Sequence, residues 1–416
     1  MRKGTGIALA VCMAVSAAVT LSMLQTETHT NSSSRMATVE SLASRGTFVI
    51  DGSPFSDTVD RVVIDGRSYS SKPPVLSVLA AGAYRVFSSL TGLTFRTDPV
   101  ASIVFVNTVT GALPYLLMVY FFYRFVLELF GPGRTATLGL VVFSFNFIGL
   151  GYATDINNHT PAAACLLVSF FLAYRSRHRA EPVAGTCHWL MSGFLAGLAS
   201  TFEFWGGIFA VSFAVYLFRH DPRRTLLLFL PAAALPVAVH FLLSLISTGS
   251  LLPVYLRGDL YLFRDGYWTD PVGIDALNEP KYIYFFNILL GHHGLFSMTP
   301  VFLLAAWSIV KTVRDRGKRM PEALAVGVPV LLTLLLLGIR TRNYGGVCAG
   351  LRWMILAMPL LFLFVAEWID RHRSGRAMVL LAVLFLIGLA MAADVPWANA
   401  GPWHNSAWHK YVFGLY

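Results

Sequence analysis

The chain has 416 residues and a formal net charge of +10, yet only 13% of its residues are charged while 56% are hydrophobic, and its mean hydropathy is +0.61. A soluble domain carries about 25% charged residues, so this composition excludes a water-soluble enzyme with a surface of its own. The basic excess falls in short loops between apolar runs, which reads as topology and excludes nucleic acid as a partner.

Taken in chain order, Met1-Arg2-Lys3 leads into an apolar run over 6–24. Its length and the lack of a small-residue cleavage site predict a retained anchor, not a removed leader. Further apolar runs over 101–123, 226–245 and 323–339 match the roughly 20 residues that span a hydrocarbon core, and continuous runs in lipid must be helices. Between the runs stand basic groups: Arg175, Arg177 and Arg179; Arg219, Arg223 and Arg224; Lys311, Arg314, Arg316, Lys318 and Arg319; Arg371, Arg373 and Arg376. Placing each group inside, with Arg2 and Lys3, leaves 25–73 and the uncharged-by-Lys/Arg loop 154–159 outside.

That parity closes only if one of two apolar stretches, 74–93 and 100–123, does not cross. The first begins with Pro73-Pro74 and contains Arg85, serines and glycines, so it is expected to lie in the interface plane. The expectation is an all-α polytopic transmembrane helix bundle of about eleven crossings, a single domain over 1–416. Its N-terminus is cytoplasmic and its C-terminus extracytoplasmic, in a bacterial inner or plasma membrane. The first outer loop, 25–99, carries the juxtamembrane helices, and 248–295 is a second long outer loop. Four cysteines, Cys12, Cys165, Cys187 and Cys348, are too widely spaced to suggest a disulfide framework or a metal site.

Within the first outer loop, Met36, Val39 and Leu42 fall on one helical stripe with Glu40 beside it. Residues 62–69 contain an Asp65-Gly66 pair that predicts a short hairpin. Lys72-Pro73-Pro74 then leads into the juxtamembrane segment. This order of features resembles the polytopic glycosyltransferases of the GT-C class, and within it the glycosyltransferase 39-like group of protein O-mannosyltransferases and aminoarabinose transferases. The matching positions are Arg35, Ala37, Gly46, Lys72-Pro73-Pro74 and a Tyr152-x-x-Asp155 element. The resemblance implies transfer of a sugar from a polyprenyl-phosphate carrier, in the lipid bilayer, to a glycan, lipid or protein acceptor on the outer side.

One departure bears on catalysis. Where that group has an acidic pair before the arginine, with a catalytic aspartate, this chain has Ser32-Ser33-Ser34. Glu40 is the first substitute for the catalytic carboxylate and Asp155 the second, with Asp51, Asp60 and Asp65 open. The reaction needs a carboxylate to take the acceptor proton and fixed positive charge to hold the departing phosphate. Arg35, Tyr69, Lys72, Arg352 and His292 are the substrate-binding candidates. Lys72 could equally be a snorkelling anchor. Arg340, Arg342 and Arg352 flank a short outer loop that should avoid arginine, which invites either phosphate binding or pairing with loop acids.

His292-His293 is either a pair of hydrogen-bonded histidines at a helix start or part of a metal site completed by Asp155 or His159, so a divalent metal stays open as a cofactor while no ligand set is assigned. Glu203 is expected in an outer turn. Trp397, Trp403, Trp408, Tyr411 and Tyr416 suit an interfacial belt. A transporter and a non-catalytic binder are the competing readings; the first would place charges within the crossings, and few are found.

Overall fold

The structure is a computed structural model that describes residues 3–178, 182–341, 343–397 and 401–414. Arg2, Arg179, Arg342 and Tyr416 lie outside the described residues, as does the Trp397 side chain. The described chain is helical. From the N-terminus come α1 (Lys3–Ser22), α2 (Thr30–Arg45), the strands β1 (Arg61–Ile64) and β2 (Arg67–Ser70), α3 (Pro74–Thr91), α4 (Pro99–Phe130) and α5 (Arg134–Asn146). Then follow α6 (His159–His178), α7 (Pro182–Phe202), α8 (Gly206–Phe218), α9 (Pro222–Thr248) and α10 (Lys281–Leu289). The last are α11 (Phe302–Arg314), α12 (Met320–Arg340), α13 (Met358–Arg371), α14 (Gly375–Trp397) and α15 (Ala407–Phe413).

Among the described residues four helices, α4, α9, α12 and α14, are long and apolar enough to cross a membrane, and shorter apolar helices cover Gly6–Ser22 and Gly206–Phe218. The chain is thus an integral membrane protein. Two of the long helices contain a π-turn, Thr108–Ala112 in α4 and Thr225–Phe229 in α9. Each is followed by a proline, Pro114 or Pro231, which has no N–H for the regular ladder.

Small residues let the helices approach. A Cβ on Gly193 would sit 2.2 Å from the Phe229 carbonyl oxygen, and one on Gly197 would sit 2.1 Å from that of Ala233. This Gly-x-x-x-Gly face of α7 packs on α9 as small residues do between membrane helices. On the other side of α7, Ser169 and Ser192 hydrogen-bond each other's carbonyl oxygens at 2.8 and 2.9 Å. α13 runs through the centre, with every residue from Met358 to Ile369 buried. Its Phe362 meets Phe143 and Phe147, and Phe122 stacks on Phe143.

The expected helix carrying Met36, Val39 and Leu42 is α2, which begins six residues before Met36. The expected hairpin is β1–β2, antiparallel with Arg61 opposite Ser70. Asp65 and Gly66 have φ of 49° and 73°, both in the left-handed region that a two-residue type I′ turn requires. α3 packs against α2 and leaves Leu79, Val86 and Leu90 exposed on its other side. The long loop 248–295 holds four 3₁₀ turns between Val254 and Ala276, followed by α10. It covers the hairpin through Trp268, whose indole N–H donates to the Val59 carbonyl at 3.1 Å, and through Phe263 beneath Arg61.

Candidate active site

A cavity of about 700 Å³ opens between the first outer loop, the long loop 248–295 and the segment 343–353. Its wall carries Asp60, Lys72 and Arg352. The hairpin positions the first two: the Ser71 N–H donates to the Asp60 carbonyl at 3.1 Å, so position 60 continues the antiparallel register and lies beside 72. The Lys72 ammonium and the Asp60 carboxylate are 2.8 Å apart. Asn31 also donates to that carboxylate, at 3.2 Å.

Burial pushes the Lys72 ammonium down to about 8; Asp60 pulls the other way, while Arg35 and Arg352 add to the depression. Burial raises the Asp60 carboxyl, but Lys72, Arg352 and Arg35 together more than offset this and hold it below its ordinary value. Asp60 is therefore ionised at neutral pH.

Arg352 has no hydrogen bond or ion pair from its guanidinium among the described residues, and its Nε is buried without a partner. It lies over the Trp403 and Trp353 rings, 5.4 and 5.9 Å from their centroids. Gly345 makes room for it: at φ 96° this residue is left-handed, and a Cβ there would meet the Arg352 Nε at 2.5 Å. An unpaired guanidinium in a cavity wall is a ready anion site. Across the cavity, Asp275 accepts from Asn343 at 2.8 Å and from the Tyr267 hydroxyl at 3.1 Å.

The three serines hold this arrangement. The Ser34 hydroxyl donates to the Asp60 carbonyl at 2.6 Å and lies 2.7 Å from the Ser70 hydroxyl, tying α2 to both strands. Ser33 donates to Thr28 at 2.8 Å. Ser32 accepts from the His29 N–H at 2.9 Å and donates to the His29 carbonyl at 3.0 Å.

Asp155 is fully buried behind Trp403, whose indole N–H donates to it at 2.6 Å. Burial lifts its carboxyl to about 6 against the opposing bonds from Ser32, Trp403 and the Ile156 N–H. Asn107 of α4 holds this segment by accepting from the Ile156 N–H at 2.9 Å and donating to the Gln25 carbonyl at 3.0 Å.

Other predicted residues lie elsewhere. Glu40 is buried on α2, paired with Arg45 at 3.3 Å, and does not line the cavity, because it sits more than two turns along α2 from Asn31. Tyr69 lines a narrow crevice with Lys72, Ser244 and Tyr255. Arg35 is buried below the cavity, bonded to Asn31 and to Asn158; burial and the Arg352 charge bring it down to about 10 despite Asp60, Glu203 and Asp155. Asn158 in turn donates to Glu203 at 2.6 Å, and Glu203 lies in the turn between α7 and α8, 2.7 Å from His159.

His292 touches His293, Tyr344, His409 and Phe413 rather than the cavity. Among the described residues no three His, Cys, Asp or Glu side chains gather to hold a metal ion. The Asp155 or His159 completion of a His292-His293 site therefore does not assemble.

No protein-family model matches the sequence, and no curated protein does. Solved structures do. ArnT from Cupriavidus metallidurans bound to undecaprenyl phosphate matches with TM-score 0.62 at 15% identity over 94% of this chain and 64% of that one. The Archaeoglobus fulgidus oligosaccharyltransferase with zinc and sulfate matches with TM-score 0.52 at 13% identity, over 97% of this chain and 54% of that one. AglB of the same organism, with an inhibitory peptide and a dolichol-phosphate, gives 0.51 at 13%, over 95% and 56%. This chain thus spans 64% of the first protein and little over half of the others. The neighbours are GT-C class membrane glycosyltransferases, and the fold of this chain is the GT-C fold.

Proposed function

We propose that this chain is a membrane glycosyltransferase that moves a sugar from a polyprenyl-phosphate carrier to an acceptor on the extracytoplasmic side. The observation that carries the reading is the unpaired Arg352 guanidinium sharing a cavity wall with the Lys72–Asp60 pair. Both cations can engage a phosphate, and a carboxylate stands beside them. The GT-C fold, shared with proteins crystallised with undecaprenyl phosphate and a dolichol-phosphate, supports it.

An apolar groove of about 700 Å³ between α7, α8 and α9 supports a polyprenyl tail. Pro253 and Tyr255 line both this groove and the crevice that holds Lys72, so tail and headgroup would be continuous. The lipid phosphate draws Lys72 off Asp60 and onto its oxygens, beside Arg352. Asp60 then takes the proton of the acceptor hydroxyl, whose oxygen bonds the anomeric carbon. The carbon–phosphate ester bond breaks and its electron pair leaves with the lipid phosphate, where the two cations stabilise it. Asp155, held by the Trp403 indole N–H at 2.6 Å, is the second candidate carboxylate. The topology we favour keeps eleven crossings, the N-terminus inside and α3 in the outer interface.

A non-catalytic binder is the second reading, favoured by the 2.8 Å Lys72–Asp60 pair, which leaves neither group free. Purified protein in lipid nanodiscs, given polyprenyl-phosphate sugars, separates the two. Turnover that drops roughly 10²–10³-fold in R352Q supports the enzyme. Binding to the wild type without turnover of any donor supports the binder, and no binding at all removes both.

A further inference from the structure

The end of the bundle opposite the candidate active site holds a second polar cavity, of about 370 Å³. α6 starts at His159, below the site, and runs 20 residues, about 30 Å, before His178 reaches this cavity. The first turn of α12 and the last turn of α13 complete it, bringing Lys318, Arg319, Glu322, Glu367 and Arg371 together.

Its acids are already engaged from the protein side. Glu322 accepts from the Tyr216 hydroxyl at 2.6 Å and meets His178 at 3.0 Å through one oxygen, while its other oxygen is buried without a partner. Glu367 accepts from Thr312 at 3.1 Å and pairs with Arg371. The cations are in surplus. Arg319 gives one N–H to the Leu129 carbonyl at 2.6 Å and lies over the Phe130 ring, which leaves its other donors. The Lys318 side chain has no hydrogen bond or ion pair among the described residues.

Two features put this cavity at headgroup level. The membrane-length helix α12 begins at its floor. Nearby, Trp307 and Trp368 both pack on His372, at 4.8 and 4.5 Å between ring centroids, and tryptophan favours the interface. Basic pockets between helix ends on the inner face are where anionic headgroups bind.

We infer that the cavity between the ends of α6, α12 and α13 binds an anionic phosphate group, carried by a phospholipid headgroup or free in solution. The site is separate from the proposed transfer reaction and does not depend on it.

Native mass spectrometry of the full-length protein tests this, with phosphatidylglycerol compared against phosphatidylcholine. Phosphatidylglycerol should be retained preferentially, and K318Q should weaken it about fivefold, with a similar further factor in K318Q/R319Q. R264Q, at a position 96% exposed in the long loop, should leave retention unchanged. Loss of bound phosphatidylglycerol on adding inorganic phosphate identifies the free anion as a source; persistence identifies the lipid. Equal retention of the two lipids by the wild type would overturn the site, as would unaltered retention in K318Q/R319Q. If the double variant fails to fold, K318Q alone decides, since Lys318 has no hydrogen bond or ion pair to lose among the described residues.

Discussion

Lys72 gives the residue scale its clearest pH expectation. Its ammonium titrates at about 8 in the folded protein, below the ordinary 10.5, so a phosphate loses this partner as pH rises. Affinity for polyprenyl phosphate is expected to weaken above about pH 8, shifted upward to the extent that bound phosphate holds the proton. K72R, whose charge persists, should flatten that decline; titrated binding between pH 7 and 9.5 reads it, and an equally steep loss in K72R contradicts it. Asp155 moves the other way. Its carboxyl is raised from 3.8 to about 6, so the folded state keeps a proton that the unfolded chain has lost. Stability from this group is therefore full below about pH 4 and declines as pH rises through about 6. D155N should remove that slope from melting temperatures measured across the window.

The hairpin shows how much of the site could be read at the scale of elements. Asp65-Gly66 is a two-residue turn, and that choice alone sets 61 opposite 70 and 60 opposite 71. The neighbourhood of Asp60 and Lys72 is thus within reach of the sequence, where Asp60 is one of the open carboxylates beside Glu40 and Asp155. The role of Ser34 was not within reach. Its hydroxyl bonds a residue 26 positions away, and nothing local distinguishes it from its neighbours. S34A should cost about 1 kcal/mol, and G66A about as much because alanine resists a positive φ. Both loosen the pair that holds Lys72, so both should raise KM for the lipid donor more than they lower kcat. The opposite split would argue against the hairpin as the element that sets Lys72.

For the whole molecule, hydropathy and charge patterning recovered the helical class and the membrane, because each depends on counts and not on contacts. Arg352 as an unpaired guanidinium was only half visible. An arginine in a short outer loop is visible in the sequence, but its freedom depends on the Gly345 backbone beside it. The proposed topology makes its own prediction. In an otherwise cysteine-free protein, single cysteines at Ser70 and at Thr94 should both react with a membrane-impermeant maleimide from the outside, since α3 lies between them without crossing. Reaction at only one of the two would mean that α3 spans.

The central claim is that Asp60, Lys72 and Arg352 together run a sugar transfer from a lipid phosphate. Its most direct measurement compares wild type and D60N for turnover and for binding of a polyprenyl-phosphate sugar in the same nanodiscs. The account predicts wild-type turnover, a loss of roughly 10²–10⁴-fold in D60N, and donor binding that D60N retains. Turnover in D60N equal to that of the wild type would contradict it.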